Sequence, residues 1–184
     1  VKLAQQLGGT VKLIAQVVRQ DDGKILPSVM PMVVMQDSLL SHVNGVFNAI
    51  MVWGDGIDKT MFYGRGAGKL PTASAVLGDI IDAVKADGTV QAQTWETASN
   101  TDFLAGMDAF VAPRMFRTTN CAADIAKQAA GQVGVTVRMH TEGGFLVSAC
   151  TERIAAKLSD ALQSLGVTVL AQIPVLKDYS KFSE

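Results

Sequence analysis

The chain of 184 residues carries 16 Lys and Arg against 17 Asp and Glu, a formal net charge of −1, and 48% apolar residues. That content suffices to bury roughly 70% of the unfolded surface of a chain this size, in one or two domains. The scattered basic residues exclude a nucleic-acid surface, and the most apolar run, Ile25 to Met35, is too short and too rich in proline to span a membrane.

The opening Val1 to Leu7 lacks the apolar core and cleavage site of a targeting segment. Two distant cysteines, Cys121 and Cys150, have no metal-ligand spacing and fit small buried side chains in a reducing, cytoplasmic compartment. Residues before Gly8-Gly9 read as the last turns of a helix, so the chain is expected to begin within a fold. Thr10 to Arg19 is β-branched with partial alternation, Gln20 to Lys24 is a turn, and Ile25 to Met35 completes a hairpin. Pro27 and Pro31 cannot donate to a ladder, which confines the second strand to an edge or an irregular path. Asp37 to Val43 is a short helical or turn segment, and strands follow at Phe47 to Trp53 and Lys59 to Tyr63 around Asp55-Gly56. These strands are expected to form a mostly antiparallel sheet.

Phe62 to Asp79 reads as a strand, a glycine turn and a helix. Gly64, Gly66 and Gly68 alternate with Arg65 and Ala67, leaving the backbone free for positive φ and for close approach of a ligand. Pro71 fits the first helical turn, where its missing N–H has no helical partner. Beyond it Ala73, Val76, Leu77, Ile80, Ile81 and Val84 recur at three and four, predicting a buried face on a helix over 70–86 that Asp87-Gly88 stops. Familiar nucleotide patterns do not apply. A P-loop needs four residues between its first Gly and its Gly-Lys, whereas three separate Gly64 from Gly68-Lys69; and Lys69 stands where a dinucleotide fingerprint needs its third Gly.

The wider stretch is more specific. Asn44 to Val52, then Phe62-Tyr63-Gly64-Arg65-Gly66-Ala67-Gly68, then Pro71 to Ile81, in that order and spacing, closely resembles the later part of bacterial homoserine dehydrogenase over about the first half of the chain. The resemblance implies a portion of an enzyme that interconverts homoserine and aspartate semialdehyde with NAD(P), on the route to threonine and methionine. It implies cofactor contacts at Gly66, Ala67, Gly68 and Thr72, and a homodimer built partly on the sheet. The family's nucleotide-binding domain and catalytic lysine precede the matched region, and Lys2 and Lys12 sit in no matching motif. The chain is therefore expected to need that N-terminal part of the same enzyme, and to be inactive and free of cofactor by itself.

From Gly88 to Met107 a polar connector, with Gln91, Gln93, Thr94 and Glu96, marks a domain boundary, giving 1–97 and 98–184. Beyond it come strand Ala109 to Arg117, helix Cys121 to Gly131, strand Val135 to His140, strand Phe145 to Cys150, helix Glu152 to Leu165 and strand Val167 to Val175. That βαββαβ order is ferredoxin-like, and with the first half it makes an α+β chain. In the second helix Thr151 is the N-cap, Ile154, Leu158, Ala161, Leu162 and Leu165 share a face, and Gly166 ends it. By topology and position this part resembles the ACT-type regulatory domain of many bacterial homoserine dehydrogenases. The resemblance implies a small amino-acid effector at the first strand-to-helix turn, where Asn120 stands in place of Gly. The other reading is a free-standing amino-acid-sensing or interaction module without chemistry.

The remaining candidates read as structural. His42 and His140 have no neighbouring carboxylate or Cys at ligand spacing. Asp79 and Asp82 sit three apart on an exposed helix face, as solvated charge does. Met30 to Met35 fill core, and Trp53 and Trp95 pack.

Overall fold

The structure is a computed structural model, which describes residues 1–89 and 97–177. Trp95 and most of the expected polar connector, Gln91 to Glu96, lie outside the described residues. The described chain forms two compact units, one from Val1–Ser41 together with residues 100–177, the other from His42–Ser99.

In the first unit, helix α1 (Lys2–Gln6) ends at Gly8, whose φ of 76° suits the left-handed position after a helix. Strands β1 (Gly9–Arg19) and β2 (Ile25–Met35) pair antiparallel without a break from Gly9↔Met35 to Arg19↔Ile25. The prolines are accommodated by parity. Ile25 bonds outward to Phe103 and Ala105, and Val33 outward to Leu176, so Pro27 and Pro31, at the same alternation, face away from β1 and remove no ladder bond.

The second half builds β5 (Ala112–Thr118), α3 (Ala123–Gln132), β6 (Val137–Thr141), β7 (Gly144–Cys150), α4 (Glu152–Ser164) and β8 (Val169–Pro174). Its sheet runs β6-β7-β5-β8 with every neighbouring pair antiparallel. One core joins Phe116, Phe145 and Val147 of the sheet to Ala126, Ala129 and Ala130 of α3 and Ala155, Leu158 and Leu162 of α4. The small alanines of α3 let that helix lie close to the sheet, and Thr151 caps α4 by accepting from the Ile154 N–H at 3.3 Å.

A second cluster joins Leu3 and Ala4 of α1, Leu7 just past it and Val33 of β2 to Met115, Leu146 and Val175. This is why the compact units differ from the expected division at residue 97: α1 and the first hairpin pack with the βαββαβ sheet. Buried Arg114 reaches Glu152 at 2.7 Å and lies over the Phe110 ring at 5.9 Å. Burial pushes the Cys150 thiol up against the opposing pull of that guanidinium, and pushes the Cys121 thiol up as well. Both cysteines are buried and reduced, and neither is poised as a nucleophile.

In the second unit, β3 (Phe47–Gly54) pairs antiparallel with β4 (Asp58–Arg65), and α2 (Lys69–Lys85) follows. The two hairpins are separate two-stranded sheets and not the single sheet expected. The expected burial of the α2 stripe is also corrected: no residue of α2 is buried, and Val76, Leu77, Ile80, Ile81 and Val84 are all exposed. The apolar period that predicts the helix is present, but among the described residues nothing covers it.

Candidate functional site

The glycine turn runs between the end of β4 and the start of α2. Gly68 is the N-cap residue of α2 with φ 130° and ψ 154°, a backbone region essentially reserved for glycine. Its carbonyl accepts from the Thr72 N–H at 3.0 Å, closing the first helical turn over Pro71. A Cβ built on Gly68 would meet only the Pro71 ring, at 3.5 Å. The turn therefore leaves the backbone of residue 68 open to an approaching group.

Gly66 has a different neighbour. A Cβ there would overlap the side-chain amide of Asn48, which lies against the turn from β3. Ala67 is exposed at the turn. Gly68 and Thr72 both line an open groove of about 620 Å³ that continues along Val76, Leu77 and Ile80 of α2. Thus Gly68 and Thr72 share one groove, while Gly66 faces the Asn48 side chain. An uncovered backbone at residue 68 and a neighbouring apolar wall fit the flat face of a nicotinamide, so the residues present are compatible with the expected cofactor.

Beside the turn lies a stack that the sequence reading passed over. The Phe47 and Tyr63 rings are parallel within 10° at 4.9 Å, and the Arg65 guanidinium sits 5.1 Å over Phe47. The available signal was the hairpin register, which places Phe47 opposite Arg65 and Ala49 opposite Tyr63, on one face.

Asn120 lies far from this turn in sequence, between β5 and α3, with φ 26°. Left-handed backbone at Asn is the expected tolerance for a position where Gly was anticipated. Its turn is tied on both sides. Thr119 and Thr168 exchange bonds of 3.0 and 3.1 Å, and His140 Nε2–H donates to the Cys121 carbonyl at 2.8 Å. His140 accordingly has the structural role its isolation predicted. Thr118 Oγ1 is buried there with no partner among the described residues.

By fold and site, the chain is an α+β polypeptide in which a glycine turn joins an antiparallel hairpin to a long amphipathic helix. The homoserine dehydrogenase family model matches residues 1–81, the segment that holds both hairpins, the glycine turn and most of α2. The homoserine dehydrogenase of Lactococcus lactis is 44% identical over 92 residues, covering 49% of this chain and 21% of the relative. That of Pseudomonas aeruginosa is 43% identical over 86 residues, covering 47% and 20%. The crystal structure of a homoserine dehydrogenase from Thiobacillus denitrificans matches 96% of this chain and 44% of its own, with a TM-score of 0.75 and 23% identity. A Staphylococcus aureus homoserine dehydrogenase matches 97% and 44%, with a TM-score of 0.65. The chain thus spans about a fifth of the curated relatives it matches and under half of the solved structures. At 23% identity the structural likeness speaks for the fold.

Proposed function

We propose that this chain is a C-terminal part of an NAD(P)-dependent homoserine dehydrogenase, an oxidoreductase interconverting L-homoserine and L-aspartate 4-semialdehyde in threonine and methionine biosynthesis. The carrying observation is the family match over residues 1–81, which contains the whole hairpin, glycine turn and first part of α2. In this reading Gly66, Ala67, Gly68 and Thr72 form the chain's share of the cofactor site. Bound nicotinamide supplies hydride acceptance and return. The turn's task would be to let the cofactor approach backbone at residue 68 with no Cβ intervening. The exposed stripe of α2 is the surface that the rest of the enzyme covers.

Proton transfer and hydride geometry depend on groups positioned within hydrogen-bond reach of the substrate, and in this reading they belong to the N-terminal part. The polypeptide as given is accordingly expected to show no oxidation of homoserine with NAD or NADP. Turnover above a buffer control in a nicotinamide absorbance assay contradicts this.

The first hairpin supports a homodimer. Leu13↔Pro31, Ala15↔Val29 and Val17↔Pro27 stand side by side on one exposed face, with Leu13, Val17 and Val29 each about 70% exposed. An apolar face of this kind, met by the same face of a second copy, gives a closed two-fold contact. Light scattering is expected to give twice the chain mass at micromolar concentration, and Val17→Lys to reduce it to the chain mass. A monomeric parent chain contradicts the assignment.

The βαββαβ half supports an ACT-like domain with assembly as its main task and weak or no threonine binding, because the Asn120 side chain occupies the position a backbone-hugging effector needs. Titration calorimetry is expected to give no threonine site below millimolar concentration. A tighter site that Asn120→Ala abolishes shows instead that the Asn120 amide, both donor and acceptor, holds the effector.

A further inference from the structure

We propose that Arg65, held by the Phe47–Tyr63 stack, is a binding residue for a phosphate of the dinucleotide cofactor; the inference rests on the reading of the Gly66–Gly68 turn as part of the cofactor site. Arg65 immediately precedes that turn and is exposed. Its guanidinium carbon sits 5.1 Å over the Phe47 ring, and Phe47 stacks in turn on Tyr63 at 4.9 Å. A guanidinium held against a ring face is restrained yet can still offer its N–H groups to an oxyanion, in two parallel bonds. Among the described residues no carboxylate forms an ion pair with it.

The local charge favours phosphate over the amino-acid substrate. Lys69 adds a second cation four residues on, and the first turn of α2 has no acidic residue. Asp58 closes the far end of β4, roughly 23 Å away at strand rise. Asp79 lies about 15 Å down the helix from Lys69. Two cations, with no carboxylate between Arg65 and Lys69 or in the first turn of α2, attract a polyanion. Homoserine is a zwitterion of net charge zero, whose carboxylate is attracted and whose ammonium is repelled, so it gains less there than a polyanion does.

The test is direct cofactor binding to the complete enzyme carrying this chain, measured by calorimetry for NAD and for NADP at two ionic strengths. Arg65→Met is expected to weaken binding tenfold or more and to flatten its salt dependence, with homoserine affinity within twofold of the parent. Arg65→Lys should recover part of the loss. Phe47→Leu should cost about threefold through looser placement of Arg65, and Phe47→Tyr should restore it. Equal losses for NAD and NADP assign the contact to the pyrophosphate, and a loss confined to NADP assigns it to the ribose phosphate. Unchanged cofactor affinity in Arg65→Met, or a loss confined to homoserine, overturns the proposal. If Gly68→Val weakens the cofactor while Arg65→Met does not, only the role of Arg65 falls; if neither does, the reading of the turn falls with it.

Discussion

Replacing Gly144 by Ala is expected to be the most damaging single-methyl change in the described chain. Gly144 opens β7 with φ 153°, opposite Arg117 on β5 and Thr141 on β6. A Cβ there would fall on the carbonyl oxygen of Phe116, with a Leu3 side-chain carbon 2.9 Å away on the other side. Neither neighbour gives way easily, since Phe116 is fully buried in the main core and Leu3 anchors the second cluster. Backbone strain of about 1–3 kcal/mol and overpacking of about 1–3 kcal/mol together give roughly 2–6 kcal/mol. That is a large share of the typical stability of a domain, and corresponds to a fall in melting temperature of roughly 15 °C. Gly131→Ala in α3 is the control: a Cβ there meets nothing within 4 Å, so Ala should hold or raise stability by up to about 1 kcal/mol. Thermal unfolding followed by circular dichroism checks both, and an unshifted midpoint for Gly144→Ala contradicts the packing described.

Much of this architecture was legible in the residues because its signals are local. Thr151, the 3–4 spacing of Leu158 and Leu162, and Gly166 with φ 78° define α4 nearly to the residue. Asp21-Asp22-Gly23 and the β-branched runs around it define the first hairpin. What escaped the sequence is long-range. Nothing in Val33 or Leu176 announces that their backbones bond to each other and draw the hairpin onto the βαββαβ sheet. Periodicity likewise reports that α2 has an apolar face without reporting what covers it, and so the burial expected there is absent. At the candidate site, the three glycines were visible as a turn, but their separate duties were not. Gly66 faces Asn48, eighteen residues earlier, and Gly68 has a backbone conformation that no residue pattern displays. The Arg65 stack was hidden for a similar reason: it depends on a register that brings Phe47 across the hairpin.

Gly68→Val carries the largest expected effect on function. With φ 130° and ψ 154°, residue 68 occupies a region that costs a side-chain-bearing residue about 1–3 kcal/mol. Within this chain a Cβ has room, since its nearest contact is an ordinary 3.5 Å to Pro71. The steric cost therefore falls on whatever approaches from outside, and in the proposed site that is the cofactor. Strain that loosens the turn and a β-branched side chain on the approach face both act against binding. At about 1.4 kcal/mol per tenfold, an effect of this size weakens the cofactor by roughly 10-fold to 100-fold. Gly64→Ala, in β4 with nothing within 4 Å of the added carbon, should leave affinity unchanged. The decisive measurement is the dissociation constant of NAD(P) for the complete enzyme carrying this chain, compared between the parent and Gly68→Val. At least tenfold weaker binding with the fold intact is the predicted result, and equal affinity in the two proteins would contradict the placement of this turn in the cofactor site.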